Sequence, residues 1–504
     1  MAEIAAVGVV KRYGGLVAND GVNLSAERGE IHGVMGENGA GKTTLMSILF
    51  GLQAPDAGEI RVRDAPVRFR SPIDAMAAGL GMVHQSFKLF GSLTAWENIV
   101  YGAEPKRGPF IDRRAARERV AKLAERHHLA VDPDARVGDL SVGVRQRIEI
   151  LKALHRDARI LILDEPTAVL TPPERDALFA VLRSLASEGR TVLLVTHKLH
   201  EVTAITDRVT ILRDGRAVAN LRTADTDADE IVRAMTGRNV NLKVEKRPLE
   251  PSDALLQAVD VTIASPSGKL AVDRVSLTVR GGEIVGIAGV AGNGQNELIE
   301  ALVGLRNPDG GRVEVCGRDV TDADVAGRRA AGLAYIPEDR AAVGSAAEAS
   351  AADNLAMGFH RSAPLAAGAF VNPSAFAEHA HALIRRFAIR IANERVNVGT
   401  LSGGNLQKIV VARELTHQAP VLIAEQPTRG LDVGATEHIH EQLVAERDRG
   451  RAVLLVSAEL TEILGLSDRV LVMFEGRILA DLPQGRADEH NVGLLMAGRD
   501  AEAG

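Results

Sequence analysis

"GENGAGKTT", Gly36 to Thr44, follows the apolar run "EIHGVM" and precedes "LMSILFGL". An apolar stretch, a glycine-rich turn and an apolar-periodic stretch in that order read as strand, loop and helix, with the helix starting at about Gly41. Further along, "GVAGNGQNE", Gly289 to Glu297, repeats the glycines. Gly36 aligns with Gly289, Gly39 with Gly292 and Gly41 with Gly294, an offset of 253. The lysine is not repeated: Lys42 faces Gln295, and Thr43 faces Asn296.

The same offset relates Gln85 to Glu338, and it becomes 261 for Ser141 and Ser402, Asp164 and Glu425, and Gly215 and Gly476. The chain therefore reads as one domain written twice, with a single insertion of eight residues expected between Glu338 and Ser402. The period is far too long for a solenoid repeat and suits a large globular domain. The charged, proline-bearing stretch "LKVEKRPLEPSD" is the expected join, which gives domains at 1–241 and 254–504 with a linker at 242–253. Within each copy, runs such as "RILILDEP" and "TVLLVTH" are apolar on both faces and end in polar residues. That pattern marks parallel strands covered by helices on both sides, so the expected class is α/β with the chemistry at the strand ends.

Bulk composition narrows the function. The 504 residues carry a net charge of −6, which argues against a nucleic-acid binder held by phosphate neutralisation. A lone cysteine, Cys316, excludes an internal disulfide framework and any CxxC metal site. No apolar run approaches the roughly 18 residues of a membrane span, and the N-terminus does not read as a signal peptide. The expectation is a cytoplasmic protein that reaches a membrane only through another protein.

The first loop matches G-x-x-x-x-G-K-[ST] between a strand and a helix, the context that motif requires. Backbone N–H groups of Gly36, Glu37, Asn38, Gly39, Ala40 and Gly41, with Lys42, Thr43 and Thr44 at the helix start, form a phosphate cradle reinforced by the helix N-terminus. Lys42 is placed to reach the β- and γ-phosphates of ATP, and Thr43 to hold Mg²⁺. Asp164 ends a buried strand, where it suits the surroundings of Mg²⁺, and Glu165 follows as the candidate base for an attacking water. Alone, the Asp164–Glu165 pair fits a helix cap before Pro166 equally well. A lone histidine at a strand end, such as His197, is more often structural than catalytic.

Tyr13, the loop at Gly36, Gln85, "LSVGVRQR", "ILILDEPT" and "LLVTH" resemble, one by one and in order, the nucleotide-binding domain of ABC transporters. The resemblance runs through both halves. It implies two tandem P-loop ATPase domains, each with a parallel-sheet core, an antiparallel β subdomain and a helical subdomain, the last lying between Gln85 and Ser141 in the first copy and docking on a membrane partner. It further implies that Tyr13 stacks on adenine, that Gln85 links Mg²⁺ and the water to the membrane subunit, and that His197 positions the γ-phosphate and water. In this family two domains pair head to tail, and each ATP lies between one domain's loop and the other's signature. Ser402, Gly403, Gly404 and Asn405, in "LSGGN", are close to the family's LSGGQ, whereas the first half reads "LSVGV". "TRGLD" keeps Asp432 where the first half has Thr171.

The second half departs from the family at the chemical positions. Tyr13 becomes Pro266, Gln85 becomes Glu338, Asp164 becomes Glu425, Glu165 becomes Gln426 and His197 becomes Ala458. An amide has no useful basicity near neutral pH, so Gln426 cannot serve as a base. The resemblance thus implies one competent site, the first loop with the second signature, and one silent site. This resembles the ATPase subunits of ribose- and nucleoside-type importers, which are fused, asymmetric pairs. "GNGQNELIEAL", "RQRIEILKAL" and "PTRGLDVGATEHIHEQL" look most like the nucleoside branch. The implied partners are two membrane-spanning permease subunits and an extracytoplasmic substrate-binding protein, with no nucleic acid and no direct membrane insertion. The implied place is the cytoplasmic face of the membrane. A soluble ABC ATPase of the translation or DNA-maintenance type is the alternative.

Overall fold

A computed structural model describes residues 2–498 apart from 85–86, 168–169, 239–245, 266–267, 291, 359, 361–362, 368–369 and 432. Gln85, Pro266 and Asp432 therefore lie outside the described residues. The chain divides into two compact units, Met1–Val240 and Asn241–Gly504.

In the first unit a six-stranded sheet runs in the order Leu80–Val83, Ile160–Asp164, Thr191–Val195, Ile31–Gly36, Arg208–Arg213 and Arg216–Arg222. Every neighbouring pair is parallel except the last. The second unit has the same order through Leu333–Ile336, Val421–Glu425, Ala452–Val456, Glu283–Ala288, Arg469–Phe474 and Arg477–Pro483. All five residues of "ILILD", Ile160–Asp164, are buried, as its two apolar faces require. Leu161 and Leu163 join the core on one side of the sheet and Ile160 and Ile162 the core on the other. An antiparallel four-stranded sheet lies beside each parallel one.

The doubled glycines have the same physical cause in both units. Gly41 and Gly294 cap the helices Lys42–Leu49 and Gln295–Val303 at φ 96° and 99°, in the left-handed region. A methyl group at either would strike a backbone carbonyl, Ala18 or Ala271, of the neighbouring antiparallel strand. Only glycine meets both conditions.

The insertion is not single. Helix Ala95–Val100 matches Ala351–Ala356 at an offset of 256, helix Arg113–Arg126 matches Pro373–Arg386 at 260, and the turn Val137–Asp139 matches Val398–Thr400 at 261. Three, four and one residues have entered separate connections, and spacing between distant motifs registers only their total. The helices on either side kept their caps: Thr94 and Ser350 each form a capping box, and the buried Asn98 and Asn354 each pin the preceding loop through its backbone. The join is less loose than its composition suggests from Lys246 onward. The Lys246 ammonium donates to the carbonyls of Leu466 and Ser467 at 3.0 and 2.7 Å and pairs with Asp468, all in the second unit.

Candidate functional site

In the first unit the Gly36 loop closes over its own lysine. The buried Lys42 ammonium donates to the carbonyls of Gly36 and Glu37 at 2.7 and 3.0 Å. Burial lowers its pKa, and the carboxylates of Glu165, Asp164 and Glu37 oppose that shift. Thr43 and Thr44 follow on the first turn, with the Thr43 side chain exposed. Asp164 ends the buried strand beside this loop. Its pKa is raised to about 6 by burial and by the charge of Glu165, against the pull of Lys42. A carboxylate so short of cationic company fits a hard divalent ion brought by a nucleotide, and the hydroxyl of Thr43 supplies another oxygen of the right kind.

Glu165 stands next to Asp164 but titrates the other way. Burial works to raise it. The hydrogen bond from His197 and the charges of His197, Lys42 and Lys198 overcome burial and hold the carboxyl below its usual value. The contact joins His197 Nδ1 to Glu165 Oε1 at 3.0 Å. Glu165 has φ 48°, a strained value for a non-glycine residue, which the surrounding structure sustains. The buried Glu201 helps by tying the two strand ends together: it accepts from Thr167, two residues after Glu165, and from Thr196, just before His197, the latter at 2.8 Å. The structure thus brings Lys42, Asp164, Glu165 and His197 together.

Tyr13 ends the strand Ala2–Tyr13, exposed, and pairs with Leu16 of the strand whose Ala18 carbonyl lies against Gly41. Its hydroxyl bonds Gln53, and the Lys11 ammonium sits 5.7 Å from its ring centre. An exposed ring on the strand edge beside the phosphate loop is free to take a stacked base on one face.

The second unit has the same cradle filled from within. The Gln295 amide lies against Gly289 and donates to the Val290 carbonyl at 3.2 Å. Asn296 donates to Glu338 at 3.4 Å. Glu425, in the place of Asp164, accepts a 2.6 Å hydrogen bond from the Tyr335 hydroxyl and one of 3.2 Å from the Glu338 N–H. Burial raises its pKa against those two bonds, and burial with the Glu425 charge pushes the Tyr335 hydroxyl well up. Gln426 keeps the strained φ, at 47°, yet its carbonyl oxygen accepts from the Ala458 N–H at 3.0 Å where Glu165 meets a histidine. The acid–base pair has become an amide–backbone bond.

The signatures differ as sharply. Ser402 caps the helix Gly403–Thr416 and accepts from Asn405. Ser141 precedes Val142–His155 and makes no such side-chain cap. In the first unit the Glu174 carboxylate, fixed by Thr171, sits against Gly143 at this helix start. In the second, the Arg340 guanidinium sits against Gly403. Sequence reading missed Glu174, Tyr335 and Arg340. Tyr335 carries a visible signal, a phenol at a strand end where the first copy has Met82; the other two depend on tertiary placement.

The ABC transporter family model matches residues 19–168 and 272–429. The nucleoside import ATP-binding protein NupA of Lactococcus lactis is 43% identical over 98% of both chains. The guanosine import ATP-binding protein NupO of Bacillus subtilis is 44% identical over 98% of this chain and 97% of its own. A ribose import ATP-binding protein, RbsA 1 of Rubrobacter xylanophilus, is 42% identical over 99% of this chain and 98% of its own. The solved complex of archaeal ribosomal stalk protein aP1 with ribosome recycling factor aABCE1 matches with a TM-score of 0.63 over 94% of this chain and 90% of that one. At 20% identity that match establishes the fold.

Proposed function

From the premise that this chain belongs to the ABC transporter family and is an ATPase, we propose that it is the energy-coupling subunit of an importer and hydrolyses ATP at one of its two nucleotide sites. The observation that carries the one-site reading is the Glu165–His197 contact beside Lys42, set against the Gln426–Ala458 and Tyr335–Glu425 bonds in the other unit. In the first unit the loop amides and Lys42 bind the phosphates. Glu165, held ionised, accepts a proton from the attacking water, and His197 orients it. Thr43 and Asp164 would hold Mg²⁺, with Gln85 as the resemblance implies; the ion neutralises phosphate charge when bound. The family's head-to-tail pairing makes Ser402, Gly403, Gly404 and Asn405 the cover for that nucleotide. On this reading the second unit's own loop has become scaffold.

Among the described residues no helix is long and apolar enough to cross a membrane. The proposal therefore gives the chain two membrane-spanning permease subunits as partners, an extracytoplasmic binding protein as the source of cargo, and a place on the cytoplasmic face. Nucleosides are the proposed cargo, supported by the full-length likeness to the nucleoside and guanosine importers. Uptake with the cognate partners tests it: competition by nucleosides and not by free ribose is expected, and the reverse would reassign the cargo to sugars. Co-purification with ribosomes rather than with a polytopic membrane protein would overturn the importer reading itself.

A further inference from the structure

A run of polar contacts in the second unit serves no step of the reaction just proposed. It begins where the catalytic residues have been replaced. The Tyr335 hydroxyl donates to Glu425, which also accepts from the Glu338 N–H. The Glu338 carboxylate pairs with the guanidinium of Arg429. The Arg429 carbonyl in turn accepts from Arg340 Nη1 at 2.7 Å. The Arg340 guanidinium then lies against Gly403, in the "LSGGN" signature, and against Gly430. We propose that Arg340 is a positioning residue for the signature at Ser402, held in place by side chains that occupy the silent site. This inference rests on the one-site reading.

Three observations support it. Both glycines make a slot for a planar group. A methyl at Gly403 would collide with the guanidinium, and one at Gly430, φ 73°, would lie 3.2 Å from both of its terminal nitrogens. Arginine fills such a slot in a way lysine does not. Second, Arg340 forms no ion pair among the described residues, although Arg429 lies close and a helix N-terminus is adjacent. Nearby Glu338 is paired with Arg429, and Asp339 accepts from the N–H groups of Ala341 and Ala342. A half-buried cation at the positive end of a helix is unfavourable unless an anion arrives there, and a nucleotide phosphate is such an anion. Third, the first unit lacks the device. The connection at 85–93 is three residues shorter than that at 338–349 and contains no arginine, and its signature helix starts beside the carboxylate of Glu174. One signature is built to meet an anion and the other to repel it.

Kinetics of the full chain with its membrane partners test this. Arg340→Gln should raise KM for Mg·ATP about tenfold and leave kcat within about threefold, the size expected when one charge-assisted hydrogen bond is removed. Arg340→Lys should recover less than half of that loss, because charge without the planar group does not fill the slot. Tyr335→Phe should raise KM about twofold, and the double variant Tyr335→Phe with Arg340→Gln should be no worse than Arg340→Gln alone, since both act through one chain of hydrogen bonds. Normal KM in Arg340→Gln, full rescue by lysine, or an additive double variant would overturn the proposal. If Arg340→Gln does not fold, Arg340→Lys and Tyr335→Phe carry the same comparison. Ser402→Arg separates the two levels. Lost turnover there with normal Arg340→Gln kinetics refutes the positioning role and leaves the one-site reading standing. Turnover that survives Ser402→Arg refutes both.

Discussion

The loops at Gly36 and Gly289 hold matching glycines in the same backbone conformation and differ in almost every side chain assigned to the chemistry. Gly39 and Gly292 sit at φ 85° and 92°, Gly41 and Gly294 at 96° and 99°, and Glu165 and Gln426 at 48° and 47°. Even the strained residue after the acidic strand keeps its strain where the base is gone. Shape and chemistry have come apart: the fold needs the glycines, and the proposed reaction needs the lysine and the carboxylates. In the first unit the polar groups are left in tension, with Asp164 raised to about 6 and Glu165 held low. In the second the same positions are satisfied by their neighbours through Gln295, Glu425 and Gln426.

The largest effects break that contrast at its chemical end. Glu165→Gln should lower turnover by about 10²–10⁴-fold while Mg·ATP still binds, because the amide cannot take the proton and the matching residue of the second unit, Gln426, is an amide too. Gln426→Ala, at the matching position, should change turnover by less than about twofold. Steady-state phosphate release by the two variants decides it, and equal losses would mean that Gln426 matters to turnover as much as Glu165 does.

The next effect lies at the signatures. Ser402→Arg should reduce turnover more than about tenfold, and Ser141→Arg less than about twofold, read from the same assay. Blocking a charge-assisted hydrogen bond to phosphate costs at least that much. Equal loss in both variants would contradict the pairing of one good loop with one good signature.

The smallest effect sharpens the other half of the comparison. Gly39 and Gly292 have left-handed backbones with nothing within 4 Å of a built Cβ. Alanine at either should therefore cost its own unit about 1–2 kcal/mol of backbone strain, measured by denaturant unfolding. Gly39→Ala should also impair ATP turnover, whereas Gly292→Ala should leave it unchanged. A Gly292→Ala variant as stable as the parent would mean that the second loop is no longer held in its conformation.

Much of this was legible before any coordinates. Glycine spacing and apolar runs located both loops and the buried strands, because those features answer to local backbone and burial rules. Lys42, Asp164, Glu165 and His197 stand at strand ends and loops that the parallel sheet necessarily gathers on one edge. Other features escaped for a physical reason. The eight extra residues looked like one insertion, since spacing between motifs cannot divide them among connections. Glu174 and Arg340 lie against signature helices far from them in sequence, and nothing local in "PPERD" or "PEDR" announces that placement. Replacement of the proposed catalytic residues reads from sequence as loss. Only the packing shows that Tyr335 and Glu338 have taken up the freed hydrogen bonds.

Steady-state phosphate release from Lys42→Ala and from the double variant Lys42→Ala with Gln295→Lys, each with membrane partners, tests the central claim most directly. The first variant removes the phosphate-loop lysine, and the second returns one to the other loop. Restoring it leaves Tyr335 on Glu425, Gln426 on the Ala458 backbone and Asn296 at the Mg²⁺ position. Absence of a base alone costs about 10²–10⁴-fold. The account predicts that the double variant is as inactive as Lys42→Ala. Recovery of even about a tenth of wild-type turnover, well above what a site lacking its base can supply, would show a second catalyst wanting a single residue and would contradict it.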